Sequence, residues 1–251
     1  MILHTSSPRA QHAMLLYALT MRLSWFGDRS LRIEFDGASA DERQGRVHAA
    51  YRHLRTQKVH ALRDLTPAYR TLLLTFDPVY LEFAAAEKAV RMLLDSERLT
   101  PAAQAGKFVE VPVCYEAAHA PDLAEVASIN GLSTDDVVRL HTQPEYTVCF
   151  TGFSPGFPYL AGLPAAIATP RLPHPRASVA AGSVGIAGAQ TGIYPRSTAG
   201  GWRLIGRTPL RMFDGARHPP AMLAPGDRVR FVAIDSTRFA ELDPAISKGE
   251  A

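Results

Sequence analysis

The spacing of apolar residues changes along the chain, and each change marks an element. MRLSWFGDRSLRIEF alternates apolar and polar positions on both sides of Gly27-Asp28. It predicts a β-hairpin whose two-residue link, with glycine first, suits a type II′ turn. Val47, Ala50, Tyr51 and Leu54 then recur at helical spacing and predict a helix over 41–57. YRTLLLTFDP reads as a buried strand closed by Asp77-Pro78, and YLEFAAAEKAVRMLLDSERL as a second helix with Leu81, Ala85, Met92 and Leu93 inward. Strands with helices on one face predict a small α+β domain over 21–100. Residues 1–20 carry a short apolar segment without a cleavage signal and are treated as an extension; Met21, where the strand pattern begins, is an alternative start.

TPAAQAG, residues 100–106, has no period and reads as a linker. Beyond it KFVEVPVCY is a strand and PDLAEVASINGLSTDDVVRLH two short helices. Gly131 stops the first, and Ser133 with Asp136 caps the second. From Glu145 onward the chain consists of short apolar runs punctuated by glycine and proline: YTVCFTGF, ASVAAGSVGIAG, TGIYP, WRLIGRTPLRMF and DRVRFVAI. Many short strands with dense turn signals predict a closed or nearly closed β-barrel over 107–236, followed by a tail over 237–251. The fold class is therefore α+β, a small mixed domain and then a barrel.

Composition narrows the function classes. Hydrophobic residues at 47% and charged residues at 20% fit a globular protein. A net charge of +3 with scattered arginines argues against nucleic acid as a partner. No apolar run approaches the roughly 20 residues that span a bilayer, and a cytoplasmic location is expected. Cys114 and Cys149 lie on separate strand-like runs without metal spacing, so they read as buried thiols. No H-E-x-x-H motif and no cluster of His, Cys and Asp occurs in the barrel half, and no metal is expected.

One motif invites serine chemistry. Gly152-Phe153-Ser154-Pro155-Gly156 satisfies G-x-S-x-G, and Asp214 and His218 follow in the order a triad needs. The residue after a nucleophilic serine must donate its backbone N–H to the oxyanion, and Pro155 has none. The stretch reads instead as a stiff loop that fixes Phe153, Phe157 and Tyr159. A P-loop is absent, since AGKF lacks the spacing and Lys58, Lys88, Lys107 and Lys248 avoid glycine-rich loops. The amides of AAGSVGIAGAQTG either form an anion nest or serve tight barrel turns. His141 at a helix end is either an acid, base or substrate partner or a histidine interacting with the helix dipole. Gln190 either offers a functional amide where the loops are densest or is a plain surface glutamine. Arg171, Arg176, Arg203 and Arg207 suit either carboxylate recognition or exterior ion pairs, and Trp202 fills core or walls a pocket.

GFSPGFPYLAGLP, TPRLPHPRASVAAGSVGIAGAQTGIYP, GGWRLIGRTPLRMF and LAPGDRVRFVAI together closely resemble the 5-oxoprolinase B-subunit family, whose members also carry the labels Kip kinase inhibitor and allophanate hydrolase subunit 1. The resemblance runs from about Met21 to Ile234. It implies a cyclophilin-like barrel, direct pairing with the 5-oxoprolinase C subunit, and joint work with the A subunit to convert 5-oxo-L-proline to L-glutamate with ATP bound by the complex. It raises His141 and Gln190 as catalytic candidates. Phe153, Gly156, Phe157, Tyr159, Arg171, Arg176, Tyr194 and Trp202 become candidate substrate or partner contacts. Ala180 and Ala199 stand where the family usually has proline, freeing two loops without removing a functional group. The labels also imply two alternatives: inhibition of a sensor histidine kinase by protein binding, and a carboxyltransferase-like role in urea or allophanate metabolism.

Overall fold

The computed structural model describes residues 21–95 and 106–243. The extension 1–20, the linker up to residue 105 and the segment 244–251 lie outside the described residues. The chain divides into two compact units, residues 1–104 and 105–251.

In the first unit β1 (Met21–Phe26), β2 (Ser30–Phe35), β3 (Leu62–Pro67) and β4 (Thr71–Phe76) form an antiparallel sheet in the order β1-β2-β4-β3. Phe26 pairs with Ser30, so the hairpin turns through three residues, 27–29, instead of two; Gly27, at φ +70°, supplies the left-handed position. Helix α1 (Ala40–Thr56) starts where Ser39 Oγ accepts the Glu42 N–H at 3.1 Å and the Glu42 carboxylate accepts the Ala38 N–H at 2.7 Å. Its Val47, Ala50 and Leu54 are buried with Leu31, Ile33, Leu72 and Leu74 of the sheet.

Helix α2 (Phe83–Asp95) buries Ala86, Val90 and Leu94, an i, i+4, i+8 stripe. Leu81 and Leu93 pack partly against that core, whereas Ala85 and Met92 point to solvent, one position away from the face read from the sequence. Strand β3 is missing from the sequence reading. As an edge strand with mixed exposure it carries no clean two-residue period.

In the second unit, seven strands close a barrel in the order β10-β7-β6-β13-β5-β12-β9. They are β5 (Phe108–Cys114), β6 (Tyr146–Thr151), β7 (Pro158–Ala161), β9 (Ser183–Ala187), β10 (Gln190–Ile193), β12 (Arg203–Arg207) and β13 (Arg228–Ile234). The β5–β13 pair is parallel and the other pairs antiparallel. A separate ribbon pairs β8 (Arg176–Val179) with β11 (Thr198–Gly200). Val111, Val148, Leu160, Val184, Ile186 and Phe231 fill the interior. Each such fully buried side chain is worth about 1.5–3 kcal/mol.

Helix α3 (Leu123–Asn130) ends at Gly131, φ +66°, and α4 (Thr134–Thr142) begins where Ser133 Oγ accepts the Asp136 N–H at 3.1 Å, as the sequence predicts. Helix α5 (Ser236–Leu242) occupies part of the segment read as a tail; Asp235 caps it and the buried Phe239 stacks on His119 at 4.3 Å. Both cysteines are buried, and neither forms a disulfide among the described residues. Among the described residues no helix is long and apolar enough to cross a membrane, and no group of His, Cys, Asp and Glu gathers to hold a metal.

Candidate functional site

The strand alternation divides the candidate residues between two faces of the barrel wall. On β10, Thr191 and Ile193 are fully buried with the interior, so Gln190 and Gly192 face outward. On β7, Leu160 points in and Tyr159, paired with Gly192, points out. A second apolar layer forms on this outer face from Phe157, Val179, Ala187, Tyr194, Trp202 and Leu204, with Tyr159 packed against it. Phe157 lies edge-on to Tyr194 at 5.2 Å and to Trp202 at 5.3 Å, and Tyr159 stacks on Phe150 at 4.6 Å.

Glycines make room for this layer. A Cβ on Gly192 would lie 2.9 Å from the Phe157 ring and 2.8 Å from Pro158 O, and a Cβ on Gly200 would collide with the Tyr194 hydroxyl. The amides of the glycine run are also committed: Gly182 N–H donates to Tyr194 O at 2.7 Å and Gly188 N–H to Thr169 O at 2.8 Å. Of the two readings of that run, barrel turns and close packing account for these groups.

The G-x-S-x-G stretch is a loop at the edge of this layer. Ser154 N–H donates to Gly152 O at 2.7 Å across Phe153, whose φ is +65°, so the turn is a γ-turn of the strained, positive-φ kind. Phe157 N–H returns to Ser154 O at 2.9 Å, and Gly156 (φ +82°) lets the backbone pass Phe213, which a Cβ would meet at 2.8 Å. The result presents Phe153 to solvent, 62% exposed, while Ser154 is turned inside with a hydroxyl that has no hydrogen-bond partner among the described residues. A serine without a base is no nucleophile. Asp214 is engaged instead by Arg211 and the Ala216 N–H, which hold its carboxyl below the usual range.

The four arginines separate by partner. Arg176 donates to Asp122 Oδ1 at 2.6 Å, and the other oxygen of this buried carboxylate accepts the Leu204 N–H at 2.7 Å. Arg203 is buried and paired with Glu125, and Arg207 donates to Ala181 O at 2.9 Å. Arg171 lies with its guanidinium carbon 5.8 Å from the Trp202 ring centre and has no carboxylate partner among the described residues. Burial pushes the Tyr159 and Tyr194 phenols upward, and the charge of Arg171 opposes that push at both.

His141 lies on the inner side of the wall, fully buried and stacked on Phe231 at 4.4 Å. Thr191 Oγ1 donates to Gly185 O at 3.0 Å and so accepts from His141 Nε2 at 3.1 Å, which leaves Nδ1 to accept the Tyr115 hydroxyl at 2.7 Å. Tyr146 donates to the His141 carbonyl at 2.8 Å. Burial lowers the His141 pKa to about 3, so the ring is neutral at pH 7. A cleft of about 580 Å³ lined by Tyr115, Val138, Arg139, Thr142 and Ile234 borders one end of this hydrogen-bonded chain.

The structure thus brings Phe153, Gly156, Phe157, Tyr159, Arg171, Tyr194 and Trp202 together on the outer face, with Gln190 on that same face. Arg176 is tied beneath it, and His141 is on the other side. Sequence reading missed Tyr115, Thr191 and Asp122. Thr191 had a signal, because alternation through QTGI puts it opposite in sense to Gln190. Asp122 had none, since its partner Arg176 is distant in sequence.

Comparison with known proteins bears on the whole arrangement. The family described as carboxyltransferase domain, subdomain C and D, matches residues 21–223. The chain is 41% identical over 228 residues to the 5-oxoprolinase B subunit of Bacillus subtilis (strain 168), covering 87% of this chain and 95% of that protein. The crystal structure of TTHA0988 superposes with a TM-score of 0.73 at 40% identity over 83% of this chain, which spans 41% of that longer chain. The urea carboxylase of Kluyveromyces lactis, 18% identical over 100% of this chain and 24% of its own, shares the fold with a TM-score of 0.66. On these matches the chain belongs to the 5-oxoprolinase B-subunit family.

Proposed function

We propose that the protein is the B subunit of an ATP-dependent 5-oxoprolinase that converts 5-oxo-L-proline to L-glutamate together with the C and A subunits, its barrel being of the cyclophilin-like kind. The observation that carries this reading is the outer face itself. A strained loop holds Phe153 outward over a packed aromatic layer, with an outward amide at Gln190 and, at Arg171, a guanidinium without a carboxylate partner among the described residues. These groups bind and orient, and none of them is a nucleophile. Ser154 has no base among the described residues, and His141 is neutral and fully buried. Such a face suits a subunit whose chemistry is completed by a partner.

The reaction explains why the work is divided. A lactam carbonyl is a poor electrophile, and ATP supplies the driving force by phosphorylating its oxygen before water opens the ring. Catalysis of that kind rests on positioning and charge stabilisation, which two chains can share. Among the described residues the Gly182 and Gly188 amides of the glycine run are taken up by the barrel, which supports assigning nucleotide binding to the assembled complex.

The test is reconstitution. The full chain should co-purify with the C subunit, and 5-oxo-L-proline should drive ADP release only when this chain and the A and C subunits are all present. Full turnover by the other subunits without it would remove the reading.

A further inference from the structure

Three of the arginines bordering the outer layer are spent on the protein's own acceptors, and Arg171 is not. Its backbone is nevertheless fixed. Arg203 Nε donates to Pro170 O at 3.2 Å on one side, and Leu172 N–H donates to Gly201 O at 2.8 Å on the other. Two hydrogen bonds therefore clamp Arg171 to the segment that carries Trp202. The guanidinium carbon lies 5.8 Å from the indole centre, within cation–π range, so the ring face steadies the cation without consuming its N–H donors. An exposed arginine with a clamped backbone, an aromatic seat and no carboxylate of its own among the described residues is a fork waiting for one.

We infer that Arg171 and Trp202 form a binding site for the carboxylate of a small ring-bearing molecule, with Tyr159 as the neighbouring aromatic surface. The aromatic layer beneath is packed and rigid, with Trp202 5% and Tyr194 1% exposed, while Arg171 itself is exposed. Gln190 faces outward two strands from Trp202, reached through Ala187, and presents both a donor and an acceptor to a ring amide. The identity of the molecule as 5-oxo-L-proline rests on the functional reading above; the carboxylate site does not. Arg176, although close in sequence, is excluded as the fork because Asp122 already occupies it.

The test uses the full chain, wild type and Arg171→Gln, titrated calorimetrically with 5-oxo-L-proline, 2-pyrrolidinone, L-proline, benzoate and acetate. The same variant is then placed in the assembled complex to measure KM and kcat. Arg171→Gln should weaken 5-oxo-L-proline binding roughly tenfold to a hundredfold, the range spanned by hydrogen bonds to charged groups. It should also erase the preference over 2-pyrrolidinone, which has the ring without the carboxylate. Arg171→Lys should recover part of the loss, and KM should rise more than kcat falls. Arg171-dependent binding of other ring carboxylates without 5-oxo-L-proline would sink the functional reading and leave the site standing. Turnover of 5-oxo-L-proline with an unchanged KM in Arg171→Gln would do the reverse. The site is also overturned if no carboxylate binds in an Arg171-dependent way, or if the substitution weakens only the association with the C subunit.

Discussion

The two faces of one barrel wall carry polar groups on opposite plans. Inside, Tyr115, His141 and Thr191 pass hydrogen bonds along a chain that ends on Gly185 O, and both ring nitrogens of His141 are engaged. Outside, one residue away along β10, Gln190 makes no side-chain hydrogen bond among the described residues, and Arg171 has no acidic partner among them. A buried network with every member engaged makes the fold specific, because any break leaves a desolvated group unpaired. Open donors on a rigid face cost little in water and remain available to a ligand. Residues of similar chemical promise thus differ in role according to the side of the strand they occupy.

Substituting His141 should break the inner plan with the largest effect. His141→Ala removes the ring packed on Phe231, strands the Tyr115 hydroxyl and takes away the donor to Thr191 Oγ1, which keeps its own bond to Gly185 O, for a loss of about 3–5 kcal/mol in unfolding free energy. Gln190→Ala should stay within about 0.5 kcal/mol of wild type. Urea unfolding followed by fluorescence in a Trp25→Phe background, where Trp202 reports the second unit, measures both. Equal effects would erase the distinction between the faces.

The inner network also predicts a pH dependence. His141 is held down to about 3 in the folded protein, whereas an unfolded histidine titrates near 6.5. As pH falls through that window the unfolded chain binds a proton that the folded chain refuses. Unfolding free energy should drop by up to about 1.4 kcal/mol per pH unit from this residue, and above pH 7 the contribution vanishes. Tyr115 and Tyr146, its titratable neighbours, are both pushed upward and stay neutral throughout. The slope between pH 6 and pH 4 should be shallower in His141→Gln; parallel curves for the two proteins would mean that His141 is not the group responsible.

The inner and outer plans were not equally legible. Runs such as YTVCFTGF and DRVRFVAI announce barrel strands because β-branched and aromatic residues cluster between turn signals. The caps at Ser133 and Gly131 are read from short-range chemistry that the fold keeps. Edge strand β3 escapes because LRDLTP mixes charged, apolar and proline positions without alternation in burial. The face of α2 is misread because Ala86 and Val90 are less conspicuous than the exposed Met92. At the site, Pro155 was enough to disqualify Ser154 locally. Whether His141 and Gln190 share a face depends on the phase of β10, and the separation of Arg171 from Arg176 depends on a carboxylate some fifty residues earlier, at Asp122. Such information resides in tertiary pairing.

The smallest expected change in stability comes from Phe153, and it sharpens the outer side of the comparison. The side chain is 62% exposed and meets Phe157 and Tyr194 only at ring separations of 5.5 Å and 6.3 Å, so Phe153→Ala should alter unfolding by less than about 0.5 kcal/mol. Phe153→Gly should be neutral or slightly stabilising, since glycine adopts a φ of +65° without the Cβ clash that offsets its greater chain entropy. If the strained turn exists to present an aromatic ring to the C subunit, both variants should weaken co-purification with it by similar factors despite their different backbones. Loss in Phe153→Gly alone would assign the contact to the turn geometry, and a stability loss above about 1 kcal/mol in Phe153→Ala would return the ring to the core.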